Sequence, residues 1–310
     1  MTILKTPNSN GDTPILTVLM SVYNGMPYLV NAVESILNQS YDNFDFIIIN
    51  DGSSDKSLEI LQSYAKNDKR IKLISHENKG LVAALNEGLA MINTPFIARM
   101  DDDDIALPTR LEKQMHYLGN NDDCLLLGTK VIIIDTDGDE ICEMGDYFSH
   151  SDIDQGLLEK KGQLIYDPSV IFRKSVVDQL GGYRKKYSYV PDLDLYLRIS
   201  ELGKIENLSE PLLKYREHTE KMGFVYRDEQ ITQINEVIKE TYARRKLAYR
   251  ETLIDSPALK SEINSWEIWV WWALKAGNIK TAKKYAFKLL LASPFSLKSW
   301  RLMYCVQRGY

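Results

Sequence analysis

Between residues 15 and 120, short apolar runs alternate with segments of helical spacing, and this alternation restricts the fold more than any other feature. "ILTVLMSVY" (Ile15–Tyr23) is short, apolar and β-branched, as a buried strand should be. In "PYLVNAVESILNQS" the apolar residues Leu29, Ala32, Val33, Ile36 and Leu37 recur at helical spacing. "FDFIIIND" (Phe44–Asp51) repeats the strand pattern, and "SDKSLEILQSYAK" the helix, with Ser54 or Asp55 as its N-cap. "IKLISHE" and "GLVAALNEGLAMI" form a third pair, and "FIARM" and "LPTRLEKQMHYL" a fourth, its helix starting near Pro108. Strand–helix repetition of this kind predicts an α/β fold with a parallel sheet covered by helices on both faces.

Ligands of such sheets bind beyond the carboxyl ends of the strands. The polar residues expected at that edge are Tyr23-Asn24-Gly25, Asn50 to Ser54, His76-Glu77-Asn78, and four consecutive aspartates, Asp101 to Asp104. If the fourth strand continues to Asp103, Asp101 and Asp103 point to one side and Asp102 to the other. Crowded carboxylates raise one another's pKa unless a cation neutralises them. Hard oxygen donors suit Mg²⁺ or Mn²⁺. A solvated acidic turn would also account for an Asp run, but its position after the fourth strand favours the metal. In "NDGSSD", Asp51 either builds an Asx turn and helix cap or accepts hydrogen bonds from a nucleotide base or ribose. Neither G-x-G-x-x-G nor G-x-x-x-x-G-K-[ST] is present, so a dinucleotide fold and a P-loop are unsupported.

Downstream, "DTDGDE" (Asp135–Glu140) lacks the spacing of a calcium loop and reads as a hairpin turn. "VPDLDLYLRI" sets Pro191 at a helix start with Asp192 and Asp194 in the first turn, which locally is cap chemistry. Asp194 and Arg198, four apart, fit a surface pair. His218 is one of four histidines, and an isolated histidine is more often structural than a ligand; Arg216 two residues earlier would make an anion-facing pair with it on a strand. From Val225 onward the pattern is mostly helical, with helices expected around Trp266–Lys275 and Ile279–Leu291.

Charge is unevenly spread. Ile268 to Tyr310 holds six lysines, two arginines and no acid, net +8, so residues 1–267 carry −13 of the overall −5. An acidic body argues against general nucleic-acid binding. A basic, Trp-rich tail suits an anionic membrane surface. Three scattered cysteines indicate a reducing compartment. The first residues contain no apolar signal segment, and "IWVWWAL" is too short to cross a bilayer. The expected location is cytoplasmic, with peripheral contact to the inner face of the plasma membrane.

"TVLMSVYNG", "IIINDGSSD", "GLVAALNEGL", "FIARMDDDD…LPTRLEKQ", "PSVIFRKS", "LGGYRKKY", "PDLDLYLRI" and "YREH" resemble, in order, the motifs of the family 2 glycosyltransferases over roughly residues 14 to 220. The resemblance implies a GT-A fold, a Rossmann-like nucleotide-binding sheet with helices on both faces, here followed by a C-terminal helical extension. Its division would be a disordered lead (1–13), a transferase domain (14–222, with a nucleotide-binding half 14–104 and an acceptor-side half 105–222) and a helical region (223–310). It also implies inverting, metal-dependent hexosyl transfer from a nucleotide diphosphate donor, a UDP-sugar, to a glycan or lipid-linked glycan, as in bacterial surface polysaccharide synthesis. By position, Tyr23, Asn24, Asp51, Asp101, Asp102 and Arg216 would contact the donor, and Asp103 and His218 the metal, Mn²⁺ or Mg²⁺. Asp192 would be the catalytic base. Two departures stand out: Pro191 replaces the glutamate common before the base, and Asp167 replaces the His or Asn common before Pro168. The alternatives are a sugar-phosphate nucleotidyltransferase, which should carry a basic Gly-rich loop after the first strand, and an inactive sugar-nucleotide-binding module.

Overall fold

A computed structural model describes residues 13–249 and 262–309, so the expected N-terminal lead lies outside the described residues except for Thr13. The chain runs β1 (Leu16–Val22), α1 (Leu29–Leu37), β2 (Phe44–Asp51), α2 (Ser57–Asn67), β3 (Ile71–His76), α3 (Leu81–Met91) and β4 (Phe96–Met100), as the alternation requires. These strands pair in parallel in the order β3-β2-β1-β4. Burial on both faces explains the near-continuous apolar character of β1, β2 and β4, while β3, at the sheet edge, is partly exposed. Leu16, Val18, Met20 and Val22 of β1 face the core beneath α1, while Leu19 faces that beneath α3. Each such side chain taken fully out of water contributes about 1.5–3 kcal/mol.

Beyond β4 the sheet is mixed rather than wholly parallel. The chain continues as β5 (Ile105–Ala106), α4 (Arg110–Asn120), β6 (Cys124–Ile134), β7 (Glu140–Met144), α5 (His150–Leu158), β8 (Ile171–Arg173), α6 (Lys174–Leu180), α7 (Pro191–Ile199) and β9 (Lys204–Arg216). The order from β4 is β4-β8-β6-β9-β5, with β7 on β6. β8 is antiparallel to both β4 and β6, while β9 is parallel to β6. β4 stops at Met100, and the aspartates occupy the turn before β5. The strand alternation considered for Asp101 to Asp103 therefore does not apply.

After α8 (Met222–Val225) and α9 (Arg227–Arg244) come α10 (Glu262–Lys275), α11 (Ile279–Ala292) and α12 (Leu297–Arg308). α12 was not anticipated. Trp269, Val270, Tyr285, Ala286 and Leu302 join the core shared with α1 and β6. The 135–139 hairpin turn fixes α11. Asp135 is fully buried, and its carboxylate accepts the Asp137 and Asp139 N–H groups, each at 2.9 Å. Lys284 bonds Asp135 and also lies 2.6 Å from Asp137 and 2.9 Å from Asp139. Tyr285 donates to Asp135 Oδ2 at 2.9 Å. Removing one partner from a buried ion pair strands the other charge. Lys284→Met should therefore cost about 3 kcal/mol of stability, read as a lower denaturant midpoint; an unchanged midpoint would reduce the contact to surface decoration. No helix among the described residues is long and apolar enough to cross a membrane.

Candidate active site

A cleft of about 1110 Å³ opens at the carboxyl ends of β1, β2 and β4. Two loops form its first wall. Asn24 sits at φ 54°, where Asn is tolerated better than most residues. Its Oδ1 accepts the Ser54 N–H at 2.8 Å, and its own N–H donates to Ser53 Oγ at 3.0 Å. Gly25 N–H donates to Ser57 Oγ at 3.0 Å and Met26 N–H to Asp55 Oδ2 at 3.1 Å. Asp55 Oδ1 also accepts the Ser57 N–H at the start of α2; the N-cap itself is Lys56, one residue beyond the expected Ser54 or Asp55, and no side chain caps the helix. Asn24 thus fixes the wall, while Tyr23, 55% exposed, stands over the cleft.

Asp51 is buried at the end of β2. Its two oxygens accept the Lys79 N–H at 2.7 Å and the Gly80 N–H at 2.9 Å, which holds the entry to α3. Gly52 next to it has φ +74°, and a Cβ there would lie 2.5 Å from the Asn78 backbone nitrogen, so glycine is required.

The four aspartates have four different environments. Asp101 accepts Arg99 Nη2 at 2.9 Å, and burial pushes its carboxyl up to about 6. Asp102 lies under the first loop, where a Cβ on Gly25 would come 2.8 Å from its Oδ2. Asp103 Oδ2 lies 2.9 Å from His218 Nε2 and 3.6 Å from Lys221 Nζ. Burial works against its charge, but Lys221 and His218 outweigh burial and hold its pKa below the ordinary value. Asp104 is fully buried; Oδ1 accepts the Arg216 N–H at 2.8 Å and Oδ2 has no hydrogen-bond partner. Carboxylate oxygens of Asp101, Asp103 and Asp104 lie within 4.8 Å of one another. This oxygen cluster, with one orphaned buried oxygen and an imidazole beside it, is a donor set that fits Mg²⁺ or Mn²⁺.

Arg216 is not in the cleft lining. Its guanidinium is buried beneath the acids, donating to the carbonyls of Asp103 at 2.8 Å and Asp135 at 2.9 Å, and lies over the Tyr28 ring. The expected anion-facing cation is thus a brace for the acidic turn, and Lys221, in the cleft lining, is the cation beside Asp103 and Asp104.

Asp192 also lines the cleft, half-buried in the first turn of α7, with Pro191 at the helix start as its position suggested. Val190 occupies the N-cap and no side chain caps the helix, so Asp192 does not serve as the cap. Burial first, and then the charge of Asp167, push its carboxyl up to about 7, against the pull of the Leu193 N–H. A helix N-terminus alone would have favoured the ionised form; here desolvation is stronger. Asp167 accepts Arg99 Nε at 3.1 Å and the Tyr196 hydroxyl. Arg99 thereby ties Asp101 to Asp167. Asp194, read as half of a surface pair, is buried between Arg198, at 2.8 Å, and Arg184.

Arg99 and Lys221 were missed. An arginine inside the apolar strand "FIARM" was a usable signal, because a buried guanidinium needs paired anions. Lys221 offered none, since its partners are more than a hundred residues away.

A mixed α/β sheet with acids gathered at the end of its fourth strand, and a C-terminal strand and helix completing the cleft, defines the GT-A class of nucleotide-sugar-using folds. Residues 17–181 match the sequence model of glycosyl transferase family 2, and the chain belongs to that family. It is 36% identical over 219 residues to the O-antigen biosynthesis glycosyltransferase WbnJ of Escherichia coli, covering 68% of this chain and 84% of WbnJ. Among solved structures it is similar to S. aureus TarS 1–349 in complex with UDP-GlcNAc (TM-score 0.57, 14% identity, 95% of this chain and 91% of that one). It is also similar to the mannosyltransferase PcManGT from Pyrobaculum calidifontis in complex with GDP-Man and Mn²⁺ (TM-score 0.53, 16% identity, 96% and 81%). The protein is a glycosyltransferase.

Proposed function

We propose that this glycosyltransferase moves a hexosyl group from a UDP-sugar to an acceptor hydroxyl with inversion, in the synthesis of a bacterial surface polysaccharide. The presence of Asp192 in the same cleft as the acidic turn, near enough to feel the charge of Asp101 yet outside the Asp101–Asp103–Asp104 cluster, carries this reading: it supplies a proton-accepting carboxylate besides those that would handle the diphosphate. WbnJ, whose name assigns it to O-antigen biosynthesis, supports the polysaccharide setting. TarS with UDP-GlcNAc and PcManGT with Mn²⁺ support a nucleotide-sugar donor and a divalent ion.

In this mechanism Tyr23 stacks on the base and Asp51 accepts from its edge, while Asp101 and Asp102 line the ribose and diphosphate side. Asp103 and His218 would hold Mn²⁺ or Mg²⁺, with Asp104 beside them. The ion supplies Lewis-acid stabilisation of the negative charge that grows on the departing diphosphate. Lys221 adds a fixed positive charge to the same wall. Asp192 orients the acceptor hydroxyl and takes its proton as the oxygen bonds to the anomeric carbon and the bond to the diphosphate breaks.

A carboxyl at about 7 must lose its proton before it can act as the base. On the acid side, kcat/KM should therefore fall about tenfold per pH unit below that value and level off above it. An acid limb centred near the ordinary carboxylate range, with full activity at pH 6, would remove Asp192 from this role.

A further inference from the structure

We infer that the outer face of the α11–α12 hairpin is a docking surface for an anionic lipid bilayer. Both helices already bury one face: Ala282, Tyr285, Ala286 and Leu289 of α11, and Leu302 and Val306 of α12. A second apolar stripe on each is left in solvent. Phe287 is 55% and Leu291 66% exposed on α11, Phe295 98% in the turn, and Leu297 88%, Trp300 55% and Tyr304 51% on α12. The spacings 287–291–295 and 297–300–304 put each set along one side of its helix and the adjoining turn. Trp300 Nε1 donates to the Pro294 carbonyl at 2.8 Å, which satisfies its one polar group and ties the indole to the turn that carries Phe295. A contiguous set of large apolar side chains at the surface marks an interaction site.

Charge identifies the occupant. No acid occurs after Glu267. Lys284 of α11 is committed to the 135–139 turn, and Lys280 pairs with Asp139. Exposed Lys283, Lys298 and Arg301 flank the apolar stripes; Lys298 also pairs with Glu267 at 2.7 Å. Aromatic and aliphatic side chains at a helix turn, flanked by cations, are what an interfacial anchor needs. The apolar groups enter the headgroup–acyl boundary while the cations meet anionic headgroups. This inference does not depend on the reading of the active site.

The test uses the full chain with vesicles of phosphatidylcholine alone and of phosphatidylcholine and phosphatidylglycerol in equal parts, read by sedimentation at low and high salt. The protein should sediment with the anionic vesicles at low salt and stay in solution with the neutral ones. The double variant Phe295→Ser/Leu297→Ser changes only highly exposed positions, so it should keep the wild-type melting temperature yet partition at least about tenfold less. Arg301→Glu, which removes one cation and adds an anion, should lose about fivefold or more. Equal partition onto neutral vesicles would overturn the proposal, as would undiminished partition of the double variant. So would a lipid-free dimer that the double variant dissolves, since that would assign the face to a second copy of the chain.

Discussion

Asp192→Asn should lower kcat by at least about a hundredfold while donor affinity stays near wild type. A positioned general base contributes about 10²–10⁴ in rate, and its loss appears in the transition state rather than in ground-state binding. Asn matches Asp in size but cannot take up the acceptor's proton. A helix-capping role would predict nearly full activity, because Asn caps as well as Asp; that role is already filled by Val190 without a side-chain bond. The substitution also removes a carboxyl that burial and Asp167 hold at about 7, so the variant's residual activity should lose the acid limb. Steady-state kinetics with a separate donor titration checks both halves. Near-normal turnover would contradict the assignment.

Asp103→Ala should abolish metal-supported activity, with a loss in kcat/KM of about a hundredfold or more. Its carboxylate is the one the structure keeps ionised, between His218 and Lys221. Asp101 is engaged by Arg99, and Asp104 is buried and pushed well above the ordinary carboxylate range by desolvation. Losing Asp103 leaves that neighbourhood without its best oxygen donor. Titrating UDP in Mn²⁺ and again in EDTA separates the effects: the variant should bind more weakly than wild type with metal present and about equally without it. Full wild-type turnover in chelator would contradict the metal assignment for Asp103 and His218.

The first half of the fold was legible because its instructions are local. β1, β2 and β4 are apolar on both faces, the helices carry their own spacing, and turn residues punctuate the junctions. The second half depends on distant partners. β9, "KIENLSEPLLKYR", is polar and contains Pro211, and it is a strand because β6 offers a ladder that shifts register around Lys130. The site divides in the same way. Tyr23, Asn24, Asp51 and the aspartates could be placed because strand ends converge on one edge of the sheet. The fates of Arg216 and Asp194 could not be read: Arg216 is drawn under the acids by the carbonyls of Asp103 and Asp135, and Asp194 is buried between Arg184 and Arg198. Their local spacing gives an ordinary surface pair and an ordinary strand end, and only packing against other elements shows otherwise.

The account stands most directly on the stereochemistry of transfer. In the proposed mechanism Asp192, lining the same cleft as the acidic turn, would deliver the acceptor to the face of the sugar opposite the leaving group. The anomeric configuration of the first-formed product, followed by proton NMR from an α-linked UDP-sugar before any equilibration, should be β. An α-linked product would mean retention, and would contradict the direct displacement in which Asp192 is the base.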